Sequence, residues 1–563
     1  MSKQSRKATQ EDINIYTEAI WINPRDSDAY YFRGNAKSDL GDIQGAIDDY
    51  TEVIRLEPNY HLPAYFFRGL ANLKLGNYQA AVDDLNETLR LDPDNENAYY
   101  NRAESKERLG DQEGAIDDYT EVIRLEPNNF PAYIYRGCIR DNLGYTRGAI
   151  FDYTEAIRIV PDHPESYSNR GVAKIKMKDY QGAITDFTEA IRLEPENAEF
   201  YQKRGVSKAL VEDIQGAITD FTEAIRLEPE NAVHYDNRAL ARNTVEDYQG
   251  AIADFTEAIR FDPSYVKTYL GRALAKEKLQ DYQGAINDYT EIIRLSSDRV
   301  HAYFNRALAK EKLKDYQGAV NDYTEFIGLN PNHVHPDHIN AYFNRALAKL
   351  ELESYQDAVN DFTECIRINP SYAGSYYYRG SAKSKLGDTR GAIADFTEAI
   401  RIDPSYAGSY YSRGLAKSKL GDTHGAIADF TEAIYIDTDI TEAYYHRGLA
   451  NLELGNIQRV ITDFTEVIRL DPENYYPYYY RGIARNDCGD IQGAIYDYTE
   501  AIRIAPDVAA AYFLRGVLRN NALGDKQNAL TDLRKAAQLY QEEENLVLYK
   551  KTLENIESIE NLP

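Results

Sequence analysis

The sequence predicts an all-α protein, an α-solenoid of helix–turn–helix repeats about 34 residues long. The first observation is that Tyr-x-x-Arg occurs fifteen times, from Tyr30/Arg33 to Tyr512/Arg515. Of the fourteen intervals between successive tyrosines, twelve are 34 residues, one is 35 and one is 39. Each unit also contains two stretches with helical spacing, and Pro follows the second stretch in twelve units. A fixed period of this kind indicates that each unit packs mainly on its neighbours.

The first helix of each unit is defined by residues that share one face. With the tyrosine as position 0, these are Tyr at 0, Arg at +3, Gly or Ala at +4 and usually a cation at +7. A Gly closes this helix in nine repeats, as Gly421 does, because Gly readily adopts the left-handed conformation of a helix C-terminus. Repeats five to ten lack this Gly and form a distinct block.

The second helix begins after an Asp such as Asp42 or Asp315, a residue that favours the N-cap position. It carries Ala at +16, Asp at +19, Tyr or Phe at +20 and usually Ala at +23. The Pro at +28 prevents the helix from continuing. The pattern therefore predicts two antiparallel helices in each unit.

A unit of 34 residues with small residues at +4, +16 and +23, aromatic residues at 0 and +20, and Pro at +28 resembles the tetratricopeptide repeat. The resemblance covers nearly the whole chain. It implies a right-handed superhelix of about two turns, with a concave groove that is lined by the first helices and binds extended or helical peptides. The chain departs from the family at +3, where all fifteen units have Arg in place of the usual apolar residue.

Capping segments are expected at both ends of the array. Thr9 and Asp12 have the spacing of a capping box ahead of a lone second helix. At the other end, Leu546, Tyr549, Leu553 and Ile556 form an apolar stripe in a charged segment, which predicts a solvating end helix at 542–560. The predicted organisation is a half repeat with its cap helix at 1–26, repeats one to nine at 27–331, an inserted loop at 332–338, repeats ten to fifteen at 339–540, and a capping helix at 541–563.

The charges inside the repeat predict a structural ion pair. Arg at +3 and Asp at +19 each occur fifteen times, and Lys or Arg occupies +7 in thirteen repeats. Two cations one turn apart repel each other on one helix face, whereas the Asp lies among the packing residues of the second helix. We therefore expect pairs between +3 and +19, within or between units, such as Arg306 with Asp322 and Arg413 with Asp429. The alternative is a row of solvated charges.

The opposite face of the first helix carries the candidate binding residues. Position +1 is aromatic in ten repeats, and repeats four to eight interrupt this series. Aromatic rings with cations nearby suit an amphipathic peptide or one that ends in a carboxylate, and Asn at +2 can bond a ligand backbone. Alternatively, the rings partly pack between neighbouring first helices. The predicted surface spans repeats nine to thirteen, with Phe304, Asn305, Phe343, Asn344, Tyr377, Tyr378, Lys385, Tyr411, Lys419 and Tyr445.

The interval of 39 residues contains the inserted segment Asn-His-Val-His-Pro-Asp-His at 332–338. His333, His335 and His338 are candidate metal ligands, because imidazole is a common metal ligand. However, a metal site also needs ligands from a second, fixed segment of the chain, and this loop alone does not supply them. The segment is therefore interpreted as a surface turn and a possible hinge, and no metal is predicted.

Composition and the absence of known catalytic motifs disfavour nucleic-acid binding, membrane insertion and several kinds of catalytic site. A net charge of −27 disfavours nucleic acid as a partner, and no apolar run is long enough for a membrane helix. Three widely spaced cysteines and an N-terminus without an apolar core favour a reduced, cytoplasmic protein. The sequence contains no phosphate-binding Gly loop, no His-Glu-x-x-His and no paired-cysteine metal spacing.

The sequence therefore predicts a non-catalytic scaffold, a monomer without cofactors, that binds a protein or peptide partner in the groove. The alternative is a substrate-recruiting or regulatory subunit of an enzyme complex whose catalytic chain is separate.

Overall fold

The computed structural model describes residues 9–58, 62–297, 299–329 and 336–561. These residues form α-helices and connections, and no β-strand occurs among them. In chain order the helices are α1 Gln10–Ile22, α2 Ser27–Asp39, α3 Ile43–Leu56, α4 Leu62–Lys74, α5 Tyr78–Leu91, α6 Glu96–Leu109, α7 Gln112–Leu125, α8 Phe130–Asn142, α9 Thr146–Ile159, α10 Pro164–Lys176, α11 Tyr180–Leu193, α12 Ala198–Leu210, α13 Ile214–Leu227, α14 Ala232–Thr244, α15 Tyr248–Phe261, α16 Val266–Lys278, α17 Tyr282–Leu295, α18 Val300–Lys312, α19 Tyr316–Leu329, α20 Pro336–Glu351, α21 Tyr355–Ile368, α22 Ala373–Lys385, α23 Thr389–Ile402, α24 Ala407–Lys419, α25 Thr423–Ile436, α26 Thr441–Glu453, α27 Ile457–Leu470, α28 Tyr475–Asp487, α29 Ile491–Ile504, α30 Ala509–Leu523, α31 Lys526–Glu542 and α32 Leu546–Glu560.

The helices are arranged as two compact units, Met1–Gln280 and Asp281–Pro563. In the first unit α1 precedes seven helix pairs, from α2–α3 to α14–α15, and α16 follows them. In the second unit α17 precedes seven pairs, from α18–α19 to α30–α31, and α32 follows them. The predicted all-α solenoid of consecutive helix–turn–helix repeats is confirmed.

Small residues allow the two helices of a pair to approach closely. In repeat twelve, Ala426 and the ring of Phe430 are buried. Gly414 on the first helix faces that ring, and a Cβ added to it would lie 2.7 Å from a carbon of Phe430. The alternation of small and large residues thus sets the spacing between the helices.

The turn between the two helices has one backbone conformation whatever residue occupies it. Nine glycines there have φ between 67° and 91°. The six repeats without this Gly place Lys178, Glu212, Glu246, Gln280, Lys314 or Glu353 in the left-handed region, with φ between 56° and 65°. A residue with a Cβ is disfavoured there by about 1–2 kcal/mol, so these junctions are strained.

A cluster that we call the Arg–Asp clamp consists of Arg at +3, Lys or Arg at +7 and Asp at +19. Fourteen Arg–Asp pairs are described, with Nη2–Oδ1 distances of 2.6 to 2.8 Å. They include Arg306 with Asp322 at 2.6 Å and Arg413 with Asp429 at 2.7 Å. In twelve repeats the cation at +7 lies 2.7 to 2.9 Å from the second oxygen of the same carboxylate.

The clamp arginine also joins each repeat to the one before it. Nη1 of Arg379 donates to Oγ1 of Thr363, at +21 of the preceding repeat, over 3.1 Å. Its guanidinium lies over the ring of Tyr376, 5.6 Å from the ring centre. Across the insertion, Arg345 keeps the same bond to Thr324 at 3.0 Å, although twenty-one residues separate the two in place of sixteen.

The helices α1 and α32 flank the repeats among the described residues. The Oγ1 of Thr9 accepts from the backbone N–H of Asp12, and the Asp12 side chain accepts from the N–H of Thr9. The last helix, α32, buries Ile556 and Ile559 against Leu533 of α31.

Candidate functional site

The candidate binding residues lie on the surface formed by consecutive first helices, which we call the first-helix face. Within the second unit α22 contacts α24, and α24 contacts α26, in addition to the second helices between them. Neighbouring first helices thus form one continuous face. Side chains at +1 and +2 project into the contacts along this face, where their surroundings differ from repeat to repeat.

Several aromatic residues at +1 pack between neighbouring repeats. The ring of Phe343 lies 5.6 Å from that of Phe362 at +20 of its own repeat and 5.6 Å from that of Tyr378 in the next repeat. Phe362 and Tyr378 are in turn stacked, with an interplanar angle of 16°. Tyr411 and Tyr445 make the corresponding contacts, Tyr411 with Phe430 and His446, and Tyr445 with Phe464 and Tyr480. These rings therefore help to hold neighbouring repeats together and expose only part of their surface.

An open pocket lies between the first helices of repeats eleven and twelve. Its volume is about 290 Å³, and we call it the tyrosine pocket. Its lining consists of Ala373, Gly374, Tyr377, Tyr378, Asp403, Tyr406 and Ser409. The ring of Tyr377 stands nearly perpendicular to that of Tyr378, with centres 5.1 Å apart, and to that of Tyr406, with centres 5.2 Å apart. Three tyrosine rings thus line this pocket, two of them nearly perpendicular to the third.

The polar groups of this pocket have defined protonation states near neutral pH. Oδ1 of Asp403 accepts from the backbone N–H of Ser405 at 3.0 Å and from its hydroxyl at 2.6 Å. These bonds lower the pKa of Asp403, so its carboxylate stays ionised. Burial and the neighbouring Tyr377 raise the pKa of Tyr406 to about 12, so its hydroxyl stays neutral.

A second pocket, about 430 Å³ in volume, lies two repeats further along the same face. We call it the acidic pocket, and its lining consists of Thr441, Glu442, Tyr445, Val467, Asp471, Asn474 and Tyr476. Tyr445 and Asp471 occupy the same repeat positions, +1 and +27, as Tyr377 and Asp403 do in the tyrosine pocket. Glu442 stands where the tyrosine pocket has Gly374, so this pocket contains a second carboxylate.

The two lysines of the predicted surface lie away from these pockets. Lys385 and Lys419 are the last residues of α22 and α24. Lys385 follows Tyr377 by eight residues, which places it about 12 Å further along the helix. Both pockets are at the other end of the first helices, where their charged groups are carboxylates.

The predicted residues of repeats nine and ten have a different environment. Phe304 packs in the core against Tyr323 and Phe326, with ring centres 5.6 and 5.3 Å apart. Asn305 and Asn344 follow Phe304 and Phe343 and are partly exposed on α18 and α20. Burial raises the pKa of Glu311, on the last turn of α18, to about 7.

The inserted segment provides one described histidine. His338 lies in the first turn of α20, is 4% exposed, and has its ring 5.5 Å from that of Phe326. It is thus part of the helix packing, whereas the sequence suggested a surface turn up to residue 338. His333 and His335 lie outside the described residues. Within the ranges that the structure describes, no group of three or more His, Cys, Asp or Glu side chains has the arrangement of a metal site.

Sequence reasoning missed Asp403, Tyr406 and Tyr476 as pocket residues. Asp403 and Tyr406 lie in the connection between α23 and α24, and Tyr476 is the second residue of α28, whereas the predicted residues lie further along the first helices. The recurrence of Asp at +27 in repeats eleven to thirteen, at Asp403, Asp437 and Asp471, is the signal that could have drawn attention to this connection.

Comparison with protein families gives matches to tetratricopeptide repeat models over more than half of the chain. Models described as "Tetratricopeptide repeat" match residues 31–96, 66–130, 164–197, 270–334, 339–372, 407–440 and 441–474. A model described as "TPR repeat" matches 384–421. No curated protein matches the chain.

Solved structures with a related helical arrangement include YrrB, titled a TPR protein with an unusual peptide-binding site. It is 21% identical over 32% of this chain and 94% of its own, with a TM-score of 0.31. The C-terminal part of a repeat-containing protein from Cytophaga hutchinsonii is 18% identical over 43% of this chain and 98% of its own, with a TM-score of 0.38. The Cut9–Hcn1 hetero-tetramer of APC/C provides a chain that is 13% identical over 91% of this chain and 99% of its own, with a TM-score of 0.31.

Proposed function

Because the chain belongs to the tetratricopeptide repeat family, we propose that it is a non-catalytic scaffold that binds a protein or peptide partner along its first-helix face. The fold is a general protein-interaction scaffold, and proteins of this family are generally non-catalytic. None of the described helices is both long and apolar enough to cross a bilayer. The proposed binding surface is the part of this face in repeats nine to thirteen, extended by the start of α28.

The observation that carries the proposal is the pair of open, tyrosine-lined pockets on one face. Tyr406 is 48% exposed and Tyr476 46% exposed, so each ring offers a large area to a partner. Tyrosine is enriched among the residues that dominate binding energy at interfaces, since it combines a large apolar area with a polar tip. Two such pockets on one face favour an extended partner segment that inserts a side chain into each of them.

Capture with the purified full-length chain tests this proposal. Bound proteins from a lysate of the source cells are quantified by mass spectrometry for the wild type and for the double variant Tyr406→Ala/Tyr476→Ala. Loss of two anchoring rings is expected to reduce recovery of the specific partner at least about tenfold. Tyr435→Ala is the matched control, because Tyr435 is 83% exposed and lines neither pocket.

Circular dichroism should show the same helicity for all three proteins, because the substituted rings are exposed. Undiminished capture by the double variant would contradict the proposal. An enzyme among the proteins that depend on the two tyrosines would identify the chain as a recruiting subunit of an enzyme complex.

A further inference from the structure

The carboxylates of the two pockets differ from the acidic groups at +19 and +22, which recur in the second helix of the repeats. The Asp at +19 belongs to the Arg–Asp clamp, as Asp395 does. The Glu at +22 pairs with Arg at +25 on the same helix, as Glu398 does with Arg401 at 2.6 Å. By contrast, no Lys, Arg or His nitrogen of the described residues makes an ion pair with Asp403, Glu442 or Asp471. The lining of the two pockets contains these three carboxylates and neither Lys nor Arg.

We propose that the tyrosine pocket and the acidic pocket each bind a cationic side chain, arginine or lysine, of the partner segment. This inference rests on the proposed function and specifies the chemistry of its partner. A cation is attracted to the negative faces of tyrosine rings, and Tyr377, Tyr378 and Tyr406 all line the tyrosine pocket. The ionised carboxylate of Asp403 at its wall supplies the opposite charge.

The alternative occupants fit these pockets less well. A carboxylate of the partner would be repelled by Asp403 in one pocket and by Glu442 and Asp471 in the other. An apolar side chain would remove water from these carboxylates without replacing their hydrogen bonds, which is unfavourable. Arginine fits best, because its planar guanidinium stacks on an aromatic ring while it donates to a carboxylate. The net charge of −27 attracts a basic segment over a longer range.

The equivalence of the pockets indicates that the partner carries two basic side chains. Tyr377 and Tyr445, and likewise Asp403 and Asp471, occupy the same repeat positions two repeats apart. A single segment that follows the first-helix face would therefore engage both pockets. Once one basic side chain is bound, the second contact forms within the same complex. The segment therefore binds with higher affinity than either side chain alone would.

Two pools of fluorescein-labelled peptides provide the test. The pools have equal length and the same mixed uncharged residues, and they differ at two positions that carry arginine in one pool and citrulline in the other. Citrulline keeps the shape and much of the hydrogen bonding of arginine but has no charge. Fluorescence anisotropy measures binding of each pool to the full-length chain at low and at physiological salt. The wild type is expected to prefer the arginine pool about tenfold or more at low salt.

Variants assign this preference to the pockets. Asp403→Asn/Glu442→Gln/Asp471→Asn, which removes all three pocket carboxylates, is expected to bring the two pools to within about threefold of each other. Asp437→Asn is the matched control and should keep the full preference. Asp437 also stands at +27 and accepts a backbone N–H bond, from Asp439 at 3.0 Å, but it lines neither pocket.

Three results would overturn the inference. These are equal binding of both pools by the wild type, no binding of either pool, and an arginine preference that survives in Asp403→Asn/Glu442→Gln/Asp471→Asn. The capture experiment with Tyr406→Ala/Tyr476→Ala judges the proposed function separately. If Tyr406→Ala/Tyr476→Ala loses the partner but the wild type shows no arginine preference, the proposed binding face stands. The proposed specificity for cationic side chains is then rejected.

Discussion

Removal of one clamp carboxylate should loosen the array locally. In repeat eleven, Asp395 lies 2.6 Å from Arg379 and 2.8 Å from Lys383, and its side chain is 7% exposed. The substitution Asp395→Asn keeps the shape of the side chain but leaves two largely buried cations one turn apart without an anion. Breaking a buried ion pair by removing one partner costs about 3–5 kcal/mol. The arginine and lysine side chains are 15% and 22% exposed and retain some contact with water, so we expect about 3 kcal/mol.

Hydrogen exchange followed by mass spectrometry is the appropriate measurement, because repeats can open locally and exchange shows which helices lose protection. A loss of about 3 kcal/mol corresponds to roughly 150-fold faster exchange of the protected amides in α22 and α23. The acceleration should decline with distance from repeat eleven. Thr363 of repeat ten should be affected next, because it accepts a hydrogen bond from Arg379.

Glu398→Gln is the matched control on the same helix. Glu398 also pairs with an arginine at 2.6 Å, but the side chains of this pair are 35% and 67% exposed. Water screens such a pair, so exchange should stay within about twofold of the wild type. Equal effects of Asp395→Asn and Glu398→Gln would refute the reasoning, since burial would then not distinguish the clamp from a surface pair.

Further predictions concern the turns and the pH dependence. Glu246→Gly should raise the free energy of unfolding by about 0.5–1 kcal/mol in urea titrations, because Glu246 has a φ of 61° that Gly adopts without strain. Gly421→Ala should lower it by about 1 kcal/mol, since φ is 79° and no atom lies within 4 Å of the added Cβ to compensate; an unchanged urea midpoint would contradict the strain argument. The pKa of Glu311 is raised from about 4.5 to about 7 in the folded state, so its contribution to stability is complete below pH 4.5 and is lost as pH rises through 7. Urea titrations at pH 5 and 8 should therefore differ less for Glu311→Gln than for the wild type, and equal differences would show that this carboxyl does not titrate with folding.

The repeat period and the patterns at +4, +16 and +20 are sufficient to predict the helix pairs, because these residues determine how closely two helices pack. The charge pattern leads to the Arg–Asp pair at +3 and +19, but the bond from that arginine to Thr363 of the preceding repeat depends on how neighbouring repeats dock. The turns of repeats five to ten show the limit of local propensity. Without Gly, residues such as Glu246 still adopt the left-handed conformation, since packing of both helices outweighs the local strain.

Only part of the proposed binding surface could be predicted from the sequence. Helical periodicity identifies the outward face of a first helix, and it predicted Tyr377 and Tyr445, which line the two pockets. It gives no information on residues that enter a pocket from a neighbouring connection, as Asp403 and Tyr406 do. The partial burial of Tyr411 depends on the identity of the ring at +2 of the next repeat, here His446. Each of these contacts joins two repeats and cannot be read from one unit.

The bond between Arg345 and Thr324 has a practical consequence for protein engineering. Five additional residues in the connection before α20 leave this bond at 3.0 Å, within the 2.9 to 3.3 Å of the thirteen other Arg–Thr bonds between the described repeats. Register between repeats nine and ten is therefore set by side chains on the helices and is independent of the length of the connecting chain. A fluorescent reporter or an affinity tag inserted between residues 332 and 335 should leave the repeats on both sides in place. Such a fusion would label the chain at an internal position close to the start of the proposed binding surface.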